Sequence, residues 1–120
     1  KIIKLKHPNI EIAIAPGPNE INEAKNIEAI SITNKGKSLN HMELAGLISK
    51  SSYVIANDTG PAHMTAHLGK MGIVIFGYHT TAKKVSIETN NFKAISVEKL
   101  ESLSAEKVYL EIQDKLKSIN

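Results

Sequence analysis

The chain predicts an α/β domain in which a mostly parallel sheet carries helices on both faces. Short apolar, β-branched runs alternate with segments of helical periodicity, and turn residues close the runs. Capping residues stand where the helices should begin. With 120 residues, 42% hydrophobic and 22% charged, the chain has the material for one core and one domain, residues 1–120.

The opening, Lys1 to Pro8, reads as a basic segment entering the first strand; it lacks the apolar middle and cleavage site of a secretory signal. Glu11 to Ala15 is a buried strand that runs into the Pro16-Gly17-Pro18-Asn19 turn, and Asn19 to Glu28 follows as a helix. Ala29 to Thr33 alternates and is β-branched, and Asn34-Lys35-Gly36-Lys37 ends it. Asn40 caps the next helix, with Glu43 in the capping-box position and Leu44, Leu47 and Ile48 on one face. Tyr53 to Ala56 is a third strand, and the helix after Asn57-Asp58-Thr59-Gly60 begins at Pro61. Ile73 to Phe76 is a fourth strand and Ala94 to Val97 a weak fifth. Ser104 caps a last helix striped by Val108, Tyr109, Ile112, Leu116 and Ile119.

Composition removes several classes of function. There is no cysteine, so neither a disulfide framework nor a thiolate metal site exists; this suits the cytosol without requiring it. The apolar stretch Ser51 to Gly69 is interrupted by polar and turn residues and cannot span a membrane. A net charge of +3 from dispersed lysines, with few aromatic residues, argues against nucleic-acid recognition. It leaves a mild attraction to anionic ligands or membrane surfaces.

The chemistry concentrates at Asn57-Asp58-Thr59-Gly60-Pro61-Ala62-His63. A helix starting after Gly60 turns several unpaired N–H groups and its positive dipole end toward the strand's carboxyl edge, where a phosphate would sit. Gly60 permits close approach, Thr59 offers a hydroxyl, Asp58 can accept from sugar hydroxyls or brace the turn, and His63 can hydrogen-bond a diphosphate.

Other readings compete. Asp58 is also a natural helix cap. His63 and His67 have the spacing of a zinc pair, but Met64 stands where the metalloprotease motif needs glutamate, so no metal is expected. Asp58-Thr59-Gly60 matches the aspartic-protease triplet, which would make the chain half of a dimer built mostly of strands.

The segment from Tyr53 through His63 to Phe76-Gly77 resembles the signature of family 9 glycosyltransferases, the ADP-heptose:lipopolysaccharide heptosyltransferases. The likeness extends back through Ser38-Leu39 to the turn at Pro16 to Glu20. It implies the Rossmann-like C-terminal domain of a GT-B enzyme, an incomplete half that binds an ADP-sugar. Asp58, Thr59, Gly60 and His63 would face the donor, Glu20 would contact its ribose, and Leu39, Thr80 and Lys83 are further donor-site candidates. It also implies inverting transfer to a lipopolysaccharide core acceptor without an essential metal, on the cytoplasmic side and in peripheral contact with the inner membrane. The base would be an aspartate of an N-terminal domain, so no catalytic residue is expected within residues 1–120. After Gly77 the chain departs from the family pattern, with Tyr78-His79-Thr80-Thr81-Ala82-Lys83-Lys84. A binding module of the same fold without transfer chemistry is the alternative.

Overall fold

A computed structural model describes residues 1–57, 59–77, 87–96 and 99–119. The helices are α1 (Ile2–Lys6), α2 (Ile21–Ala24), α3 (His41–Lys50), α4 (Gly60–His67) and α5 (Ala105–Lys117). The strands are β1 (Ala13–Ile14), β2 (Ile30–Ser31), β3 (Val54–Asn57), β4 (Gly72–Phe76) and β5 (Phe92–Ser96). All ladders between these strands are parallel, as the alternation of strand and helix requires. They form two sheets, β1-β2 and β3-β4-β5.

β4 is the centre of the larger sheet and is buried along nearly its whole length. Successive side chains of a strand point to opposite faces. Val74 and Phe76 therefore join Ala62 of α4 and Phe92 in one apolar cluster. Ile73 joins Ile112 and Leu116 of α5 in the other, with Ile3 and Tyr109 packed beside them. The sheet is thus covered on both faces, α4 on one and α5 with α1 on the other. This is the Rossmann-like α/β arrangement expected from the sequence.

Two helix starts form as their residues dictate. The Asn40 side chain accepts from the Glu43 N–H at 2.8 Å while the Glu43 carboxylate accepts from the Asn40 N–H at 3.0 Å, a complete capping box. Ser104 Oγ accepts from the Lys107 N–H at 3.1 Å and starts α5.

The opening segment departs from expectation. Lys1 to Pro8 does not enter a strand; it forms α1, because Ile3 finds the apolar surface of Ile112 and Leu116. His7 Nε2 lies 2.9 Å from the Tyr109 hydroxyl, which anchors the end of α1 to α5. Lys4 and Lys6 sit in the last turn of α1, where cations complement the dipole. The helix expected over Asn19 to Glu28 is confined to Ile21–Ala24 and a following turn. β5 begins at Phe92, two residues before its expected start at Ala94. The parallel ladders and the helical tail exclude the protease reading, which needs a chain made mostly of strands. Among the described residues no helix is long and apolar enough to cross a membrane.

Gly72 fixes the seam between β3 and β4, since a Cβ there would run into the Val54 carbonyl oxygen. Gly46, in the middle of α3, has nothing within 4 Å of the same added atom. Gly72→Ala should therefore lower unfolding stability by about 2 kcal/mol or more through backbone displacement. Gly46→Ala should raise it by about 0.5–1 kcal/mol through the higher helix propensity of alanine. Urea denaturation of the two variants checks both signs.

Candidate functional site

The carboxyl ends of β1 and β3 open on one cavity of about 460 Å³. Open parallel sheets bind ligands at this end of their strands.

From the β1 side, Pro16 ends the strand because it has no N–H to give to a ladder. The chain then turns sharply: the Glu20 N–H donates to the Gly17 carbonyl at 3.0 Å, and the Gly17 N–H donates to Glu20 Oε1 at 3.1 Å. A Cβ on residue 17 would lie 2.7 Å from that carboxylate oxygen and would push the flexible Glu20 side chain aside. Glu20 and, one helical turn on, Glu23 both line the cavity.

From the β3 side, Asn57 is the last strand residue and its carbonyl accepts the Thr59 N–H at 2.8 Å. Thr59 is the N-cap of α4 in extended conformation, yet its hydroxyl makes no capping bond. A capping side chain accepts from the second or third helical N–H. Here the second helical residue is Pro61, which has none, and the third, Ala62, already donates to the Thr59 carbonyl at 3.1 Å. The Thr59 hydroxyl instead leans on the Asn57 carbonyl at 3.3 Å and stays exposed beside the cavity.

The same geometry revises the expected crown of unpaired N–H groups. Ala62 and His63 both turn their N–H to the Thr59 carbonyl, at 3.1 and 3.4 Å. With Pro61 lacking a donor, Gly60 is the remaining donor of the first turn.

Glu20 and Thr59, thirty-nine positions apart in the chain, therefore share one cavity. Gly60 and His63 stand on α4, both exposed, outside its lining. Leu39 is half-buried in the segment leading into α3 and does not line it either. Asp58, Thr80 and Lys83 lie outside the described residues. His63 and His67 are both exposed, and among the described residues no group of three or more His, Asp or Glu side chains is placed to hold a metal ion.

Glu23, Asn57 and Pro61 also line the cavity, and the sequence reading gave them no ligand role. Glu23 looks like any acidic residue that complements a helix start. Its position in the first turn after a strand-ending Pro-Gly-Pro was the available signal.

Tyr53 lies at the inner wall of the cavity, half-buried. Burial disfavours its phenolate and pushes its pKa from 10.0 up to about 12.

The family model of glycosyltransferase family 9 (heptosyltransferase) matches residues 8–115, nearly the whole chain. The chain belongs to this family of sugar-transferring enzymes. Comparison with curated proteins and with solved structures gave no match.

The Tyr53 shift has a stability consequence. Folded Tyr53 holds its proton more tightly than the unfolded chain does, so its contribution to stability is complete below pH 10 and is lost as pH rises from 10 to about 12. Stability measured across that window should fall in the parent chain and fall less in Tyr53→Phe. An unchanged slope in Tyr53→Phe would remove this burial as the cause.

Proposed function

We propose that the cavity at the carboxyl ends of β1 and β3 is the donor site of a sugar-transfer enzyme, and that residues 1–120 are the donor-binding part of it. The observation that carries this is the meeting of Glu20 and Thr59 on one cavity at the carboxyl ends of β1 and β3, each a strand of a parallel sheet, in a chain of glycosyltransferase family 9.

The charges around the cavity suggest how a nucleotide-sugar would lie. Glu20 and Glu23 make the β1 rim acidic, a poor neighbour for phosphate and a good acceptor for hydroxyls. Glu20 commits one carboxylate oxygen to the Gly17 turn, and its other oxygen can take a ribose hydroxyl. The diphosphate belongs at the opposite rim, with the Thr59 hydroxyl, the Gly60 N–H and the positive end of α4. Asp58 is assigned to the sugar hydroxyls and His63 to the diphosphate, with Leu39, Thr80 and Lys83 as supporting contacts.

The donor we assign is an ADP-activated sugar of the heptose class, and the acceptor a lipopolysaccharide core. Transfer proceeds with inversion and without an essential metal. The base is an aspartate on a second, N-terminal domain of a GT-B enzyme that works at the cytoplasmic face of the inner membrane.

Isothermal titration with ADP should detect binding that Thr59→Ala and His63→Ala each weaken about tenfold or more, the effect of losing one hydrogen bond to a charged group. Melting temperatures should change little, because Thr59 and His63 are exposed. Binding of ADP unchanged in all the variants overturns the site. Preference for UDP or GDP at the same residues keeps the site and overturns the donor.

A further inference from the structure

The segment between β2 and α3 is held by one carboxylate at two points. After β2, the Asn34 N–H donates to the Lys37 carbonyl at 2.8 Å and the Lys37 N–H to the Asn34 carbonyl at 3.0 Å. Lys35 and Gly36 between them have φ of 52° and 82°, so both central residues of this tight turn are left-handed. Glycine takes that conformation freely, whereas lysine does so against its own Cβ. The Asn34 side chain then donates through Nδ2 to Glu43 Oε2 at 2.8 Å. The other oxygen of the same carboxylate, Oε1, accepts the Asn40 N–H at 3.0 Å.

Glu43 therefore does more than complete the cap of α3. A capping box needs only the bond to the Asn40 N–H, and the bond to Asn34 reaches nine positions back along the chain. Ser38 and Leu39, both half-buried, lie between the turn and the capping residue. Each end of that short span is tied to the same carboxylate.

On the donor-site reading, on which this inference rests, the span lies beside the nucleoside. β2 pairs with β1 and lines no part of the donor cavity, so it stands on the side of β1 away from the β3 wall. Ile14 and Ser31 are register partners, so the carboxyl end of β2 emerges next to the turn from Pro16 to Glu20. A nucleotide with its diphosphate at the start of α4 and its ribose on Glu20 runs from β3 toward β1. Its base, attached across the ribose from the phosphate, continues toward β2. α3 enters the cavity wall at Leu44, the residue after Glu43, while Glu43 itself does not line the cavity.

We infer that Glu43 is a positioning residue for the donor: through Asn34 on one side and Asn40 on the other, it holds the Ser38-Leu39 span in place for the nucleoside. An exposed hydrogen bond such as the one to Asn34 adds little to global stability, because water replaces it at small cost. Its effect falls on the population of one loop conformation, and apparent affinity falls in step with that population.

The test exchanges the partners of the bond. In Asn34→Asp two carboxylates face each other and repel, which opens the clamp while the bonds between Glu43 and Asn40 remain. In Glu43→Gln the Asn40 N–H keeps its acceptor, and the Asn34 amide can turn its carbonyl to the new donor. The double variant, Asn34→Asp with Glu43→Gln, again pairs a donor with an acceptor. Calorimetric titration with ADP well below the melting temperature should show about tenfold weaker binding in Asn34→Asp, as expected if the held conformation falls to about a tenth of the molecules. Glu43→Gln and the double variant should bind within about twofold of the parent chain. Amide exchange in Asn34→Asp should speed up at Lys37 and Asn40 and stay unchanged along β4.

ADP bound equally well by the parent chain and by Asn34→Asp overturns this role of Glu43 and leaves the donor site standing. A loss in Asn34→Asp that the double variant fails to restore also overturns it, as does faster exchange spread over the whole chain, the mark of a purely structural bond. A parent chain that binds no ADP takes away the donor-site reading, and this inference with it.

Discussion

Burial of β4 on both faces is the constraint on which the rest of the structure depends. Gly72 to Phe76 contains no charged residue, and its side chains supply the apolar surface against which α4 packs on one side and α5 on the other. Pairing with strands on both sides satisfies the backbone of such a segment away from water. β3 and β5 provide that pairing, and Gly72 lets β3 approach closely enough for the seam to form. Once β3 is fixed beside β4, its last residue Asn57 and the start of α4 are fixed too. The position of Thr59 is therefore a consequence of core packing several residues away from it.

The elements that could be read from sequence are those whose information is local. Asn40 with Glu43, and Ser104 with Lys107, satisfy helix starts through bonds spanning three residues, and both form as read. The apolar stripe of α5 is equally local in origin, and Ile112 and Leu116 are buried as its period demands. The misread part is the opening. α1 spans only Ile2–Lys6, too short to be stable by propensity, and it exists because α5 offers Ile112, Leu116 and Tyr109 to it from the far end of the chain. A strand and a short helix made of the same mixed lysines and aliphatic residues are indistinguishable until that partner is in place.

The site shows the same division. The motif around Thr59 stands out in sequence because strand end, glycine, proline and helix follow one another without a gap. The acidic rim does not stand out, because Glu20 and Glu23 gain their meaning only when β1 delivers its carboxyl end to the same cavity as β3. The family resemblance implies a ribose contact for Glu20, and sequence reasoning passed over Glu23 because an acidic residue in a helix's first turn already has a sufficient local reason.

Pro61 has the most consequences of any residue at the site. By removing the second N–H of α4 it takes away one donor that an anion could use, and it also takes away the partner that would hold the Thr59 hydroxyl in a cap. The two effects oppose each other. The helix end loses part of its backbone cradle, while the threonine hydroxyl, bonded to the Asn57 carbonyl rather than to a helix N–H, stays exposed beside the cavity. A hydroxyl can both donate and accept, whereas an N–H can only donate, so the exchange favours a ligand with mixed groups over a bare anion. Set against the acidic rim contributed by Glu20 and Glu23, this makes the cavity better suited to a molecule that carries hydroxyls at one end and phosphate at the other than to inorganic phosphate alone.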